Sequence, residues 1–155
     1  MEHTCCFFGH RTAEETDELI AMIYAAVEDL ILNAHVDTFL FGSKSRFDVL
    51  AHRTVTRIKE KYPHIKRIYV RAEFPVIGKE YESYLMKSYE ETCYPEKLLG
   101  SGRAAYVERN REMIDRSLYC IVYYHSGHLP PDRKSGTKIA LDYAIGKNRK
   151  VLTVG

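Results

Sequence analysis

Three short turns in the sequence combine glycine with basic residues, and this composition suits the binding of an anion. The turns are Gly9-His10-Arg11, the run GSKSR at 42–46 and the run RKSGT at 133–137. Glycine lets backbone N–H groups approach an anion closely, and an arginine side chain donates paired hydrogen bonds to a phosphate. The sequence therefore predicts that a ligand contacts these turns, with His10, Arg46 and Ser135 among the binding residues. Its phosphate and ribose would lie against Gly9, Arg11, Gly42, Ser43, Gly136 and Thr137.

Two of these turns also carry the residues of an ordinary helix cap. Ser135 stands at the start of a predicted helix, where its side chain alone satisfies a cap, although the N–H groups at a helix start also attract phosphate. We favour phosphate binding there because two basic residues precede it. Ser45 and Asp48 have the spacing of a capping box, so structure and ligand contact explain Asp48 equally well.

Other polar residues are candidates for contacts with a sugar or with the charge of a ligand. Glu73 follows the third predicted strand, where an acidic residue can hold a ribose, but a surface ion pair with Arg71 explains it equally well. Arg109 and Asn110 lie on a predicted helix, whose several arginines could instead form a solvated face.

Aromatic and imidazole side chains give weaker signals. The chain has 12 tyrosines and no tryptophan. Tyr106, next to Arg109, is the tyrosine that we single out for stacking on a base, whereas packing or a subunit interface explains most of the others. His125 and His128 lack an evident third ligand, so we predict no metal site.

Apolar runs alternate with helical patterns along the chain, and this alternation predicts the scaffold that positions the candidate residues. Thr12 and Glu15 have the spacing of a capping box for the first helix, and 78–95 is predicted as a polar helix or a helix and loop. Short apolar strands without polar alternation indicate a sheet covered on both faces. Strands are predicted at 4–8, 38–41, 67–70, 118–124 and 150–154, and the other helices at 12–34, 47–62, 103–117 and 136–147.

The pattern as a whole predicts one Rossmann-like α/β domain over residues 1–155. We expect three layers, α/β/α, around a mostly parallel five-stranded sheet in the order 3-2-1-4-5. In such a sheet, ligands bind beyond the carboxyl ends of the strands, near the point where the strand order reverses. Because the candidate turns follow predicted strands, this edge of the sheet should bring them together.

The composition limits the classes of function. A net charge of +2 does not suggest a dedicated nucleic-acid binder. No apolar run approaches the length of a membrane span, and the first residues lack the apolar segment of a secretory signal. Cys5, Cys6, Cys93 and Cys120 show no metal-binding spacing and are expected to be reduced thiols. The sequence thus predicts a cytoplasmic protein without a membrane partner.

Four segments of the chain resemble the SLOG superfamily, which groups the DNA-processing protein A proteins, the LOG phosphoribohydrolases and nucleotide-sensing domains. The segments are FFGHR at 7–11, GSKSRFDVLAH at 42–52, ERNREM at 108–113 and SGT at 135–137. They are similar to the superfamily's first Gly-x-Arg turn, its glycine loop with Asp and Ala-His, its Arg-Asn-Arg segment and its second phosphate loop. The chain looks closest to the YpsA-like family, and the resemblance is weakest between 78 and 102. It implies a Rossmann-like fold that binds a nucleotide.

One departure from the LOG pattern bears on catalysis. LOG enzymes carry Pro-Gly-Gly-x-Gly-Thr-x-x-Glu, in which the final residue is catalytic, and Ala140 stands at that position here. An alanine side chain cannot transfer a proton, while Arg109 keeps the position of the LOG arginine. The resemblance therefore implies a binding site without the LOG-type reaction.

These observations predict a protein that binds a nucleotide-type ligand, either an ADP-ribose-like molecule or another nucleoside phosphate, as a sensor or a sequestering module. No catalytic residue, no metal and no required cofactor are predicted, and nucleic acid is not the expected partner. Two alternatives stay open. One is a LOG-like N-glycosidase whose carboxylate would be Asp48, Glu73 or Asp142, and the other is a single-stranded DNA-binding protein like DNA-processing protein A. We also expect a homo-oligomer, with the tyrosine-rich insert between residues 78 and 102 as its contact surface.

Overall fold

In a computed structural model of the protein, a parallel β-sheet lies between two layers of helices. The structure describes residues 1–42, 44–125 and 135–155. The three-layer Rossmann-like prediction is confirmed. The strands are β1 Thr4–Gly9, β2 Thr38–Phe41, β3 Lys66–Val70, β4 Glu91–Cys93, β5 Tyr119–Tyr123 and β6 Lys150–Thr153. The helices are α1 Asp17–Asn33, α2 Arg46–Lys61, α3 Lys79–Leu85, α4 Ala105–Asp115 and α5 Gly136–Gly146, with short 3₁₀ turns at Glu96–Leu98 and Gly102–Ala104.

The order of the strands defines where a ligand can approach the sheet. The six strands follow the order β4-β3-β2-β1-β5-β6, and all neighbouring strands are parallel. The chain runs outward from β1 to β4 and then crosses to β5 on the other side of β1. The order therefore reverses beside the carboxyl ends of β1 and β5, which is where open α/β sheets bind ligands.

Buried side chains cover both faces of the sheet, as continuous apolar strands require. Alternate residues of β1 face opposite layers. Cys5 and Phe7 pack in the core that contains residues of α1 and α2, and Cys6 and Phe8 pack in the core that contains residues of α4 and α5. All four cysteines are free thiols. Within the described ranges, no helix has the length and apolar character to cross a membrane.

The sheet has six strands where the sequence predicted five, because the insert after β3 contributes an edge strand. Residues 91–93 pair in parallel with β3, with Ile68 opposite Glu91 and Val70 opposite Cys93. The Glu90 carboxylate fastens this strand to β3, since it accepts hydrogen bonds from Arg67 Nε at 3.1 Å and Arg67 Nη2 at 2.7 Å. A three-residue strand with polar side chains has no apolar run that a sequence pattern could detect.

The first helix begins later than its predicted capping box, and that prediction is wrong. Thr16 is the N-cap, because its Oγ1 accepts a hydrogen bond from the Leu19 N–H at 3.0 Å. Glu15, the other half of the predicted box with Thr12, instead pairs with Arg46 and with Arg53. Ion pairs between the loop before α1 and helix α2 have here replaced a local contact.

Helix α4 also starts later than predicted, at Ala105 instead of Arg103. Gly102 has a φ of 57°, a left-handed conformation that an α-helix cannot contain. Residues Gly102–Ala104 form a 3₁₀ turn before α4 begins. The first turns of α4 then face the carboxyl ends of β1 and β2, which positions Arg109 for the site described next.

Candidate functional site

A cavity of about 740 Å³ opens at the carboxyl edge of the sheet, beside the ends of β1, β2 and β3 and the start of α5. Its volume lies in the range of small-molecule sites in proteins. Most of the candidate residues line it, namely Gly9, His10, Arg11, Gly42, Glu73, Arg109, Asn110, Ser135, Gly136 and Thr137. The structure therefore brings the turns that the sequence singled out together at one cavity.

Two described candidate residues, Arg46 and Asp48, do not line the cavity. Ser43 lies outside the described residues. Arg46 is directed to Glu15 of the loop before α1, with which it forms an ion pair. Asp48 is buried in the first turn of α2, where its N–H donates to Ser45 Oγ at 3.1 Å. Arg46 and Asp48 thus lie outside the cavity lining, and Ser45 is the N-cap of α2, as the spacing of Ser45 and Asp48 predicted.

Arg109 is the buried charge of the site and not part of a solvated face. Only 3% of the residue is exposed, whereas Arg111 and Arg116 on the same helix pair with glutamates at the surface. The Arg109 guanidinium donates to the Gly42 carbonyl and, through Nε, to Asn110 Oδ1 at 3.1 Å. Burial lowers the pKa of Arg109, and the nearby Asp48 carboxylate opposes this shift.

The two glycines at the ends of β1 and β2 are required by close packing. A Cβ at Gly9 would lie 2.5 Å from the ring of Phe47, and a Cβ at Gly42 would lie 2.5 Å from Arg109 Cδ. Contacts this short do not occur between real side chains, so any larger residue forces its neighbours to move. These glycines let α2 and Arg109 approach the sheet, whether or not a ligand is bound.

His10, at the end of β1, is hydrogen-bonded to the segment that follows β5. Its Nε2 accepts a hydrogen bond from the His125 N–H at 2.8 Å, and its ring lies 5.2 Å from the ring of Tyr124. Because Nε2 is the acceptor, the ring is neutral with its proton on Nδ1. His10 therefore contributes a buried, uncharged wall to the cavity and connects the ends of β1 and β5.

The start of α5 is capped and also faces the cavity. Ser135 Oγ accepts a hydrogen bond from the Lys138 N–H at 3.0 Å, so the cap interpretation of this serine is correct. The cap leaves the first two N–H groups of the helix, those of Gly136 and Thr137, without an acceptor among the described residues. These two residues line the cavity, and the two basic residues that precede Ser135 lie outside the described part.

Glu73 faces the cavity from the end of β3 and is paired with a tyrosine of α4. The Tyr106 hydroxyl donates to the Glu73 carboxylate, and this hydrogen bond raises the pKa of Tyr106. The alternative pair with Arg71 is not what holds Glu73, since Arg71 donates to the carbonyl oxygens of Phe74 and Pro75. The Arg109 guanidinium lies 5.6 Å from the centre of the Tyr106 ring.

Cationic side chains outnumber carboxylates around the cavity. Arg11, Lys44 and Arg109 line it together with a single carboxylate from the described residues, Glu73. Arg11 and Lys44 are exposed, and within the described ranges neither forms an ion pair. Two unpaired cations, a buried guanidinium and an open helix start together favour a negatively charged occupant.

Two lining residues, Lys44 and Tyr69, were missed as site residues. Lys44 lies inside a turn that the sequence singled out, but its spacing gave no reason to prefer it to its neighbours. Tyr69 belongs to β3, whose apolar pattern indicates only a buried strand, yet its ring reaches the cavity at the carboxyl edge. Burial raises the pKa of the Tyr69 hydroxyl, which therefore stays neutral and can donate a hydrogen bond.

The histidine pair of the sequence does not form a metal site that the structure describes. Within residues 1–42, 44–125 and 135–155, no group of three His, Cys, Asp or Glu side chains could hold a metal ion. His125 is engaged through its N–H with His10, and His128 lies outside those ranges.

The fold and the cavity define the class of this chain as a Rossmann-like α/β protein with a basic cavity at the carboxyl edge of its sheet. Comparison with known proteins takes the classification no further, since no protein-family model and no curated protein matches the chain.

Proposed function

We propose that this protein binds a nucleotide-type ligand, an ADP-ribose-like molecule or another nucleoside phosphate, and acts as a sensor or a sequestering module. One observation carries the proposal. Arg11 and Lys44, which form no ion pair with a described residue, and two N–H groups of α5 without a described acceptor border one cavity of about 740 Å³. A cavity of this size exceeds what an inorganic ion needs and suits a ligand of nucleotide size.

The ligand's phosphate would bind at the start of α5. The N–H groups of Gly136 and Thr137 would donate to phosphate oxygens, and Arg11 would supply a charged, bidentate contact. The buried Arg109 guanidinium would add positive charge to the cavity while it keeps its hydrogen bond to the Gly42 carbonyl. The Glu73 carboxylate, held by Tyr106, is the acceptor that a ribose diol needs.

The cavity supports binding more than turnover. Ala140, which the SLOG resemblance aligns with the catalytic glutamate of LOG enzymes, is buried in the core between α5 and the sheet. Asp142 pairs with Lys138 at 2.9 Å on α5 and does not line the cavity. The SLOG resemblance agrees with the proposal and stays a prediction, as does the expected homo-oligomer.

Calorimetric titration with ADP-ribose, AMP and NAD tests the proposal with a matched pair of variants. Gly136→Asp introduces a carboxylate at the helix start, where no atom of the described part of the chain lies within 4 Å of an added Cβ. An acidic residue at that position also favours the helix, so the fold should remain intact. We expect the Kd of the tightest nucleotide to rise at least tenfold.

Gly78→Asp is the control, because Gly78 is the N-cap of α3, a Cβ added there also meets no described atom within 4 Å, and the residue lies outside the cavity. It should bind as the wild type does. Arg11→Ala and Arg103→Ala form a second pair of exposed arginines, of which only Arg11 lines the cavity. Absence of binding by the wild-type protein, or equal affinity of Gly136→Asp and Gly78→Asp, would overturn the proposal.

The N-glycosidase alternative has one observation in its favour, which is the position of Glu73 in the cavity. This reaction requires a carboxylate near the ribose, and neither Asp48 nor Asp142 lines the cavity. Incubation with AMP, followed by chromatography, decides the matter. Release of free adenine by the wild-type protein but not by Glu73→Gln would establish the enzyme. Intact AMP that stays bound to the wild-type protein would support the binding function.

A further inference from the structure

A second, smaller cavity adjoins the first one and is lined mainly by aromatic side chains. Its volume is about 300 Å³, and its walls include Tyr69, Tyr81, Tyr84, Tyr89, His52 and Lys44. Lys44 and Tyr69 also line the larger cavity, so these two side chains form a wall common to both. We call this second cavity the tyrosine pocket.

Aromatic rings in the tyrosine pocket are arranged in stacked pairs. The rings of Tyr69 and Tyr89 lie 5.2 Å apart with an angle of 24° between their planes. Those of Tyr81 and Tyr84 lie 6.3 Å apart with an angle of 16°. Such pairs present flat apolar faces, which a further planar ring can contact by stacking.

The tyrosine pocket contains neutral polar groups and one cation, which lies at its border with the larger cavity. His52 Nε2 is bonded to the Ser88 carbonyl oxygen at 2.9 Å, and burial lowers the pKa of His52. Tyr89 is kept protonated, since burial raises the pKa of its hydroxyl. Lys44, at the border with the larger cavity, is the one charged side chain among the described lining residues. The pocket therefore suits an uncharged planar ring that is joined to an anion.

We infer that the tyrosine pocket binds the aromatic base of the ligand whose phosphate occupies the larger cavity. This inference rests on the proposed function and adds to it the place where the base of the nucleotide binds. Lys44 then contacts the part of the ligand between base and phosphate. Tyr84 is the residue best suited to a test, because it is 66% exposed and its removal disturbs little packing.

AMP and ribose 5-phosphate are the probes, because they differ only in the base. In the wild-type protein, AMP should bind at least tenfold more tightly, as stacking of one base on aromatic side chains contributes roughly this factor. Tyr84→Ala should weaken AMP about fivefold to tenfold and leave ribose 5-phosphate unchanged. Tyr84→Phe keeps the ring and should bind both probes as the wild type does.

Each other outcome has a definite meaning. Equal affinity for the two probes, or an equal loss for both with Tyr84→Ala, overturns the inference while the proposed function stands. Failure of the wild-type protein to bind any of ADP-ribose, AMP and ribose 5-phosphate overturns both. If AMP binding survives Tyr84→Ala but light scattering shows a loss of oligomers, the pocket is a contact between copies of the chain and the inference is wrong.

Discussion

Two turns of similar composition border the same cavity, but their glycines have different surroundings. In the turn after β2, an added Cβ at Gly42 would lie 2.5 Å from Arg109 Cδ and 2.7 Å from Met113 Sδ. At the start of α5, an added Cβ at Gly136 would meet no atom of the described residues within 4 Å. Each turn also contains a serine that caps its helix, at 3.1 Å in α2 and 3.0 Å in α5.

The difference separates a glycine that the fold requires from one that it does not. Gly42 lets Arg109 reach the carbonyl of the turn, so internal packing explains it without a ligand. Gly136 has no such explanation among the described residues, and alanine would favour the helix more. A glycine with open space beside it, next to N–H groups for which the described residues supply no acceptor, is therefore the stronger indication of a bound anion.

The largest effect is expected from Gly42→Ala. The added methyl group overlaps the buried side chain of Arg109, and overpacking of this kind should lower the free energy of unfolding by about 2–3 kcal/mol. Urea denaturation measures the change. A loss below about 0.5 kcal/mol is the size of an ordinary surface effect. It would show that the turn accommodates a side chain at position 42, so that packing would not require Gly42 any more than it requires Gly136.

A double-mutant cycle sharpens the reason for that effect. Arg109→Ala removes the atoms that Gly42→Ala would strike, so the cost of Gly42→Ala in the Arg109→Ala background should fall by about 1–2 kcal/mol. The Met113 sulfur remains nearby, so some cost should persist. Denaturation of the four proteins gives the coupling, and strictly additive costs would show that Arg109 is not what excludes a side chain at position 42.

A smaller effect is expected from removal of the caps. Ser135→Ala should lower the free energy of unfolding by about 1 kcal/mol, the usual cost of an N-cap. Thr16→Ala is the matched control, because its cap bond also measures 3.0 Å and it lies away from the cavity. Thermal denaturation should show similar losses. A gain in stability for Ser135→Ala, with a loss for Thr16→Ala, would mean that the Ser135 cap does not stabilise α5.

The smallest effect on stability, and one of opposite sign, is expected from Gly136→Ala. Alanine at an open helical position restricts the unfolded chain and should raise the free energy of unfolding by about 0.4–1 kcal/mol. The same methyl group borders the cavity and should weaken the binding of ADP-ribose in a calorimetric titration. Higher stability with unchanged affinity would show that the helix start does not contact the ligand.

Much of the scaffold could be predicted from local patterns in the sequence. Strands β1, β2, β3, β5 and β6 are short apolar runs, and their order follows from the alternation of strands with helices. Burial on both faces leaves such strands no polar alternation, so the signal is strong. The edge strand β4 has no such signal, because Arg67 and Glu90 fasten it by contacts distant in the sequence.

The sequence by itself determined which turns carry glycine, serine and arginine, and the parallel fold then brought most of them to one edge. Only the tertiary structure decided what each residue does there. Arg46 and Arg109 are both arginines of candidate segments, yet one pairs with Glu15 outside the cavity and the other is buried beneath Gly42. Residue type and spacing specify local conformation, whereas burial and pairing depend on contacts between segments that are far apart in the chain.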